Sequence, residues 1–121
     1  MDSTLTATPA NAPPFLVVCL CAQWCGTCRD YKPLFNQLET QFPGVRFVWI
    51  DVEDQAALVD PIEVENFPTL LIARDGLPLF FGTITPHLEI LRRLVQQYAD
   101  DTNAQPLHDA NIAGLSHRLA L

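Results

Sequence analysis

Positive charge is scarce in this chain: 7 Lys and Arg stand against 14 Asp and Glu in 121 residues, a formal net charge of −7. A surface of that sign repels phosphate backbones and anionic lipid headgroups, so neither nucleic acid nor a membrane is expected as a partner. Long apolar runs are also missing, and none approaches the roughly 20 residues that span a bilayer. The start carries Asp2, and the first positive charge is Arg29. A secretory leader begins with basic residues, so the reading is a cytoplasmic protein. The 5 glycines form no nucleotide-binding loop, and no internal repeat is present. His87, His108 and His117 are scattered without ligand spacing and read as solvated surface groups. Cysteine is not missing. The chain has 4, and in a reducing compartment these point to catalysis or metal binding rather than to structural staples.

Hydrophobic residues make up 49% of the chain, enough for one domain with its own core. The informative stretch is Trp24-Cys25-Gly26-Thr27-Cys28. It follows the apolar run Phe15 to Cys21 and opens a segment of helical periodicity that continues to about Phe42. Two cysteines separated by two residues, where a strand hands over to a helix, are suited to reversible disulfide chemistry. Only a thiolate attacks a disulfide, and the unpaired N–H groups and dipole of a helix N-terminus favour the anionic form of a thiol. Cys25 falls at that end. Cys28 lies one turn along, within reach for a short disulfide.

Residues 1–14, rich in Thr, Ala and Pro, read as an extended or mobile arm, with Thr4 to Thr8 as a candidate short edge strand. Phe15 to Cys21 reads as a strand buried on both faces. Tyr31, Leu34, Phe35, Leu38 and Phe42 give the next segment one apolar face, with a kink expected at Pro33 and an end at Pro43-Gly44. Val45 to Val52 reads as a second strand, with Trp49 as a core aromatic. The acidic trio Asp51, Glu53 and Asp54 reads as the N-terminal charge bias of a helix over Gln55 to Asn66, bent at Pro61. A third strand is expected over Leu70 to Ala73, a turn at Asp75-Gly76, and an edge strand over Leu79 to Phe81 marked by Pro78. Thr85-Pro86 reads as the cap and first position of a helix whose apolar face holds Leu88, Leu91, Leu94, Val95 and Tyr98. The domain is thus placed at 15–99. Residues 100–121 form a C-terminal extension with a short candidate helix at Ile112, Leu115 and Leu119, weakened by Gly114.

The order strand, Trp-Cys-x-x-Cys helix, strand, helix, Pro-Thr strand, hairpin, helix resembles the thioredoxin family over about Phe15 to Ala99. The motifs that carry the resemblance are Ala22 to Arg29 around the cysteine pair, Pro33 in the helix, Phe67-Pro68-Thr69, and Gly82. The resemblance implies an α/β thioredoxin fold: a central mixed sheet of about four strands, five with the N-terminal edge strand, and helices on both faces. It implies a thiol–disulfide oxidoreductase acting on protein disulfides, a part in cell redox homeostasis, and a reductase or other thiol that restores the pair. No cofactor beyond the Cys25–Cys28 disulfide and no metal are implied. Cys25 would attack and Cys28 resolve. Trp24 would shield the pair and offer an apolar surface to partners, with Gly26 and Thr27 between the cysteines. Pro68, after a cis bond, would lie against the pair between Phe67 and Thr69. Gly82 would let a partner chain approach the backbone.

Three departures from the family pattern carry expectations. Thr27 stands where thioredoxins usually have proline, which points to a potential above the about −270 mV typical of thioredoxin. Cys19 occupies the place of a buried carboxylate, and Phe47 or Val48 the place of its lysine partner. A buried thiol is a poorer proton relay, so resolution of the mixed disulfide should be slow. The first strand and helix are shortened to residues 1–14, leaving a sheet edge or face that the Ile112–Leu119 segment or another subunit would cover. Cys19 and Cys21 share one face of the strand and read as small buried apolar residues, with a secondary redox role as the alternative. Two other classes stay open. One is a four-thiolate metal site from Cys19, Cys21, Cys25 and Cys28. The other is a thioredoxin-like module that binds partners without turnover.

Overall fold

The computed structural model describes residues 15–120. The 1–14 arm and its candidate edge strand lie outside the described residues. Among the described residues, four strands form one mixed sheet: β1 (Phe15–Cys21), β2 (Arg46–Asp51), β3 (Thr69–Arg74) and β4 (Leu77–Thr83). Their spatial order is β2-β1-β3-β4, with β1 parallel to β2 and antiparallel to β3, and β3 antiparallel to β4. The same residues form four helices: α1 (Gly26–Glu39), α2 (Ala56–Val59), α3 (Leu88–Asp100) and α4 (Ala110–Ala120). Among the described residues, no helix is long and apolar enough to cross a membrane.

Strand β1 is buried along its whole length, as its unbroken apolar run requires. Because side chains alternate across a strand, its residues feed two separate cores. Phe15, Val17, Cys19 and Cys21 face Tyr31, Phe35 and Leu38 of α1 and Leu91 and Val95 of α3. Leu16, Val18 and Leu20 face Val59 of α2 and Leu115 and Leu119 of α4. The C-terminal helix therefore covers the second face of the sheet. Its start is capped by Asp109, whose Oδ1 accepts the amides of Asn111 and Ile112 at 2.9 and 3.1 Å. Arg118 ties it to the chain crossing beside it, donating to the Leu58 carbonyl at 2.7 Å.

The β3–β4 turn has positive φ at Asp75 (55°) and Gly76 (80°), the combination that lets a two-residue hairpin follow strand twist. Pro78 sits on edge strand β4, next to a shift in register at Ile72/Ala73. Several expected boundaries move. Helix α1 stops at Glu39, short of Phe42, with Pro33 inside it. Helix α2 is one turn rather than a segment reaching Asn66, because the chain turns extended at Asp60. Helix α3 starts at Leu88 with His87, not Thr85, as its N-cap residue.

Leu115 is fully buried under the sheet. Leu115→Ala is expected to lower the unfolding free energy by about 2–5 kcal/mol in a urea titration. A loss under about 0.5 kcal/mol would place α4 on the periphery instead.

Candidate functional site

The motif residues gather where β1 ends and α1 begins. Cys25 has extended backbone angles and stands as the residue before the first turn of α1; its carbonyl accepts the Arg29 amide at 3.2 Å. The preceding loop is held by its own backbone and by side chains from both directions. The Cys25 amide donates to the Ala22 carbonyl at 3.0 Å, and Arg29 Nη1 reaches back to the Gln23 carbonyl at 3.0 Å. From the neighbouring strand end, Asp51 Oδ2 accepts the Gln23 amide at 2.8 Å. Its other oxygen accepts the amides of Glu53 and Asp54 at 2.9 and 3.1 Å. Glu53 Oε2 accepts the Trp24 indole N–H at 2.7 Å.

The acidic trio thus does different work from that expected of it. Helix α2 begins at Ala56 without a side-chain cap, and Asp51 and Glu53 instead hold the cysteine loop. Sequence spacing carried no sign of this, since Asp51 and Gln23 lie 28 residues apart. The Asp54 amide is the main reason the Asp51 carboxyl sits below its usual range. Partial desolvation opposes it, and the Glu53 and Gln23 amides add to the lowering.

Trp24 is 62% exposed, and its ring meets that of Phe67 edge-on at a centroid distance of 5.7 Å. This contact brings the Phe67-Pro68-Thr69 segment beside the cysteine loop. The Phe67–Pro68 bond is cis, as the resemblance implied. Thr69 pairs with Leu20 at the end of β1 and with Thr83 on β4, so Gly82, one residue earlier on β4, lies along the same rim. An added Cβ at Gly82 would meet only the Phe80 ring at 3.5 Å, an ordinary contact. The fold therefore does not itself demand glycine there. Gly26 and Thr27 are exposed in the first turn of α1, and an added Cβ at Gly26 would meet only the tip of Arg29, at 3.7 Å.

The cysteine pairing differs from the expected one. Cys28 is joined to Cys21 in a disulfide with a Cα–Cα distance of 5.8 Å, and Cys25 is free and half-buried. The cause lies in two periodicities. Cys28 continues the buried stripe of α1, three residues before Tyr31, and so points at the sheet. Cys21 belongs to the face of β1 that points at α1. The reading of Cys21 as an unpaired apolar residue is corrected accordingly. The stripe position of Cys28 could have been found in the sequence, since Cys28 precedes Tyr31 by the same helical interval that separates Tyr31 from Leu34. The disulfide also engages two of the four sulfurs of the four-thiolate alternative.

Cys19 is fully buried, 3.7 Å from Cys21 between sulfurs, and burial pushes its thiol far above the usual range. Its partner across β2 is Trp49, not Phe47 or Val48. Trp49 is only half-buried, edge-on to Phe35 at 5.6 Å, with Lys32 Nζ above its ring at 5.6 Å. The Tyr31 hydroxyl was not singled out by the sequence. It is buried in the same layer with no hydrogen-bond partner among the described residues. Burial and the neighbouring Cys19 raise its pKa.

The comparisons with known proteins agree with this fold. The thioredoxin family model matches residues 4–87, and the chain belongs to that family. A thioredoxin of Aspergillus fumigatus is 33% identical over 81 residues, covering 67% of this chain and 75% of that protein. An H-type thioredoxin of Oryza sativa subsp. indica is 34% identical over 66 residues, 54% of each chain. The chain thus spans about half the length of the plant relatives it matches. Among solved structures, thioredoxin from Trypanosoma brucei brucei superposes with a TM-score of 0.65 at 26% identity, covering 75% of this chain and 80% of that one. The oxidised form of mitochondrial thioredoxin 3 from Saccharomyces cerevisiae gives 0.62 at 28% identity, covering 69% and 78%.

The Asp51 clamp carries a pH signature. Its folded pKa is lowered, so its stabilisation is fully present above the ordinary carboxylate pKa of about 4 and is lost as pH falls through the folded value. Asp51→Ala is expected to reduce the urea midpoint at pH 7, and the gap from the native chain should narrow towards pH 3. A gap of constant size across that range would contradict the assignment.

Proposed function

We propose that this protein is a thiol–disulfide oxidoreductase that exchanges disulfides with protein partners through Cys25 and Cys28. The observation that carries the reading is the placement of Cys25: partly accessible, first in line at the N-terminus of α1, in a loop held by Asp51 and flanked by the exposed Trp24. The Cys25 thiolate attacks one sulfur of a partner disulfide and forms a mixed disulfide, expelling the other partner sulfur as a thiolate. Cys28 then attacks Cys25, the partner leaves reduced, and the two electrons have passed to it from the cysteine pair. A reductase or another thiol returns the pair to the dithiol. The apolar edge of Trp24 and Phe67, beside the cis proline, supplies the surface on which an extended partner strand would rest. Cys19, buried and held protonated, cannot take the proton that Cys28 must lose, so resolution is the slow step.

Insulin reduction with a thioredoxin reductase supplied tests this. The native chain should turn over, Cys25→Ser should fall to background, and Cys19→Asp should speed the resolving step in stopped-flow traces. No turnover by the native chain would favour a binding module that uses the Trp24 and Phe67 surface alone.

A further inference from the structure

Four sulfurs lie within one short segment, and the proposed exchange uses two of them. Cys21 and Cys28 are both about 1% exposed and are bonded to each other, while Cys25, half-buried, is free. We propose that Cys28 serves two disulfide partners in turn, Cys25 and Cys21, and that the Cys21–Cys28 bond stores the oxidised state inside the fold. The inference rests on the redox reading of Cys25 and Cys28 given above.

The step is an exchange that needs no outside oxidant. In the Cys25–Cys28 form, the Cys21 thiolate attacks Sγ of Cys28. The Cys21–Cys28 bond forms, the Cys25–Cys28 bond breaks, and Cys25 leaves as a thiolate. Cys21 gives up one proton as it attacks and Cys25 takes one up after it leaves, so none is gained or lost overall. One disulfide and one thiol stand on each side, so the oxidation level of the protein is unchanged.

Geometry favours such an exchange. The Cα–Cα distance of 5.8 Å is within the ordinary range for a disulfide. Cys21 ends β1, where the strand is still paired to Asp51 of β2, so its sulfur is fixed beneath the first turn of α1. The chain of sulfurs continues to Cys19, 3.7 Å from Cys21 and fully buried. The stored bond has one accessible approach. Outside thiols cannot reach sulfurs so deeply covered, whereas Cys25, at the start of the same helix that carries Cys28, opens the bond by reversing the step. A partner disulfide met in the stored state would be captured by Cys25 and held, because Cys28 is already occupied.

The sequence offers a direct readout. Cleavage after Trp24 separates Cys21 from the segment holding Cys25 and Cys28. The native protein, oxidised with diamide, alkylated with iodoacetamide and digested with chymotrypsin without reduction, should yield a peptide containing Cys21 linked to one containing Cys28, with Cys25 alkylated. Oxidised Cys25→Ser should retain the same link, and glutathione should reopen it on the order of tenfold more slowly than in the native chain. Recovery of the Cys25–Cys28 loop alone from the native chain, with Cys21 alkylated on denaturation, would overturn the proposal, as would three free thiols in oxidised Cys25→Ser. Insulin turnover separates the two readings. Turnover without the Cys21 link defeats the storage step only, and the link without turnover defeats the exchange with protein partners.

Discussion

The burial of β1 on both faces is the constraint from which the rest of the structure follows. Seven residues from Phe15 to Cys21 lie under helices on one side and under a second set on the other. A strand so enclosed has no freedom of register, since a slip of one residue would exchange its two faces. It therefore fixes where the chain leaves the sheet, and the cysteine loop inherits that position. The Asp51 carboxylate on the adjoining strand end then holds Gln23, two residues beyond the end of β1. Strand, clamp and helix start together decide how Cys25 is presented.

The same alternation decides the sulfur chemistry. Odd-numbered residues of β1 face α1, so Cys19 and Cys21 share the layer into which Cys28 points. Three sulfurs then lie between a strand and a helix, in surroundings whose burial pushes the Cys19 thiol well above its usual range. The carboxylate that the family pattern leads one to expect at Cys19 would be costly beside so much apolar surface unless it had a partner. Trp49, across the strand, offers none. This layer holds a thiol in place of that carboxylate, and the Cys21–Cys28 disulfide beside it.

Much of this was legible in the residues. The unbroken apolar run, the helical stripe through Tyr31, Phe35 and Leu38, the Asp75-Gly76 turn and the edge position of Pro78 all express local rules that neighbouring residues satisfy among themselves. The cysteine motif and Pro68 were equally plain. The parts that stayed hidden depend on contacts between distant segments. Asp51 bonds to Gln23, Glu53 to Trp24, and Arg118 to Leu58, and no spacing rule links such pairs. The α2 segment was misjudged for a different reason, since its composition suits a helix but the backbone at Asp60 turns extended. The Cys21–Cys28 bond lay between these cases: both periodicities were visible, yet the shorter separation within Cys25-Gly26-Thr27-Cys28 drew the pairing to itself.

Amide hydrogen exchange measures the central constraint most directly. If the doubly covered strand organises the domain, the amides of Val17, Val18, Cys19 and Leu20 should exchange only through global unfolding, with protection equal to the full stability of the protein. The edge strand β4 should open more readily. Protection in β1 below that of β4, or exchange of β1 by local opening while the rest stays folded, would contradict the account.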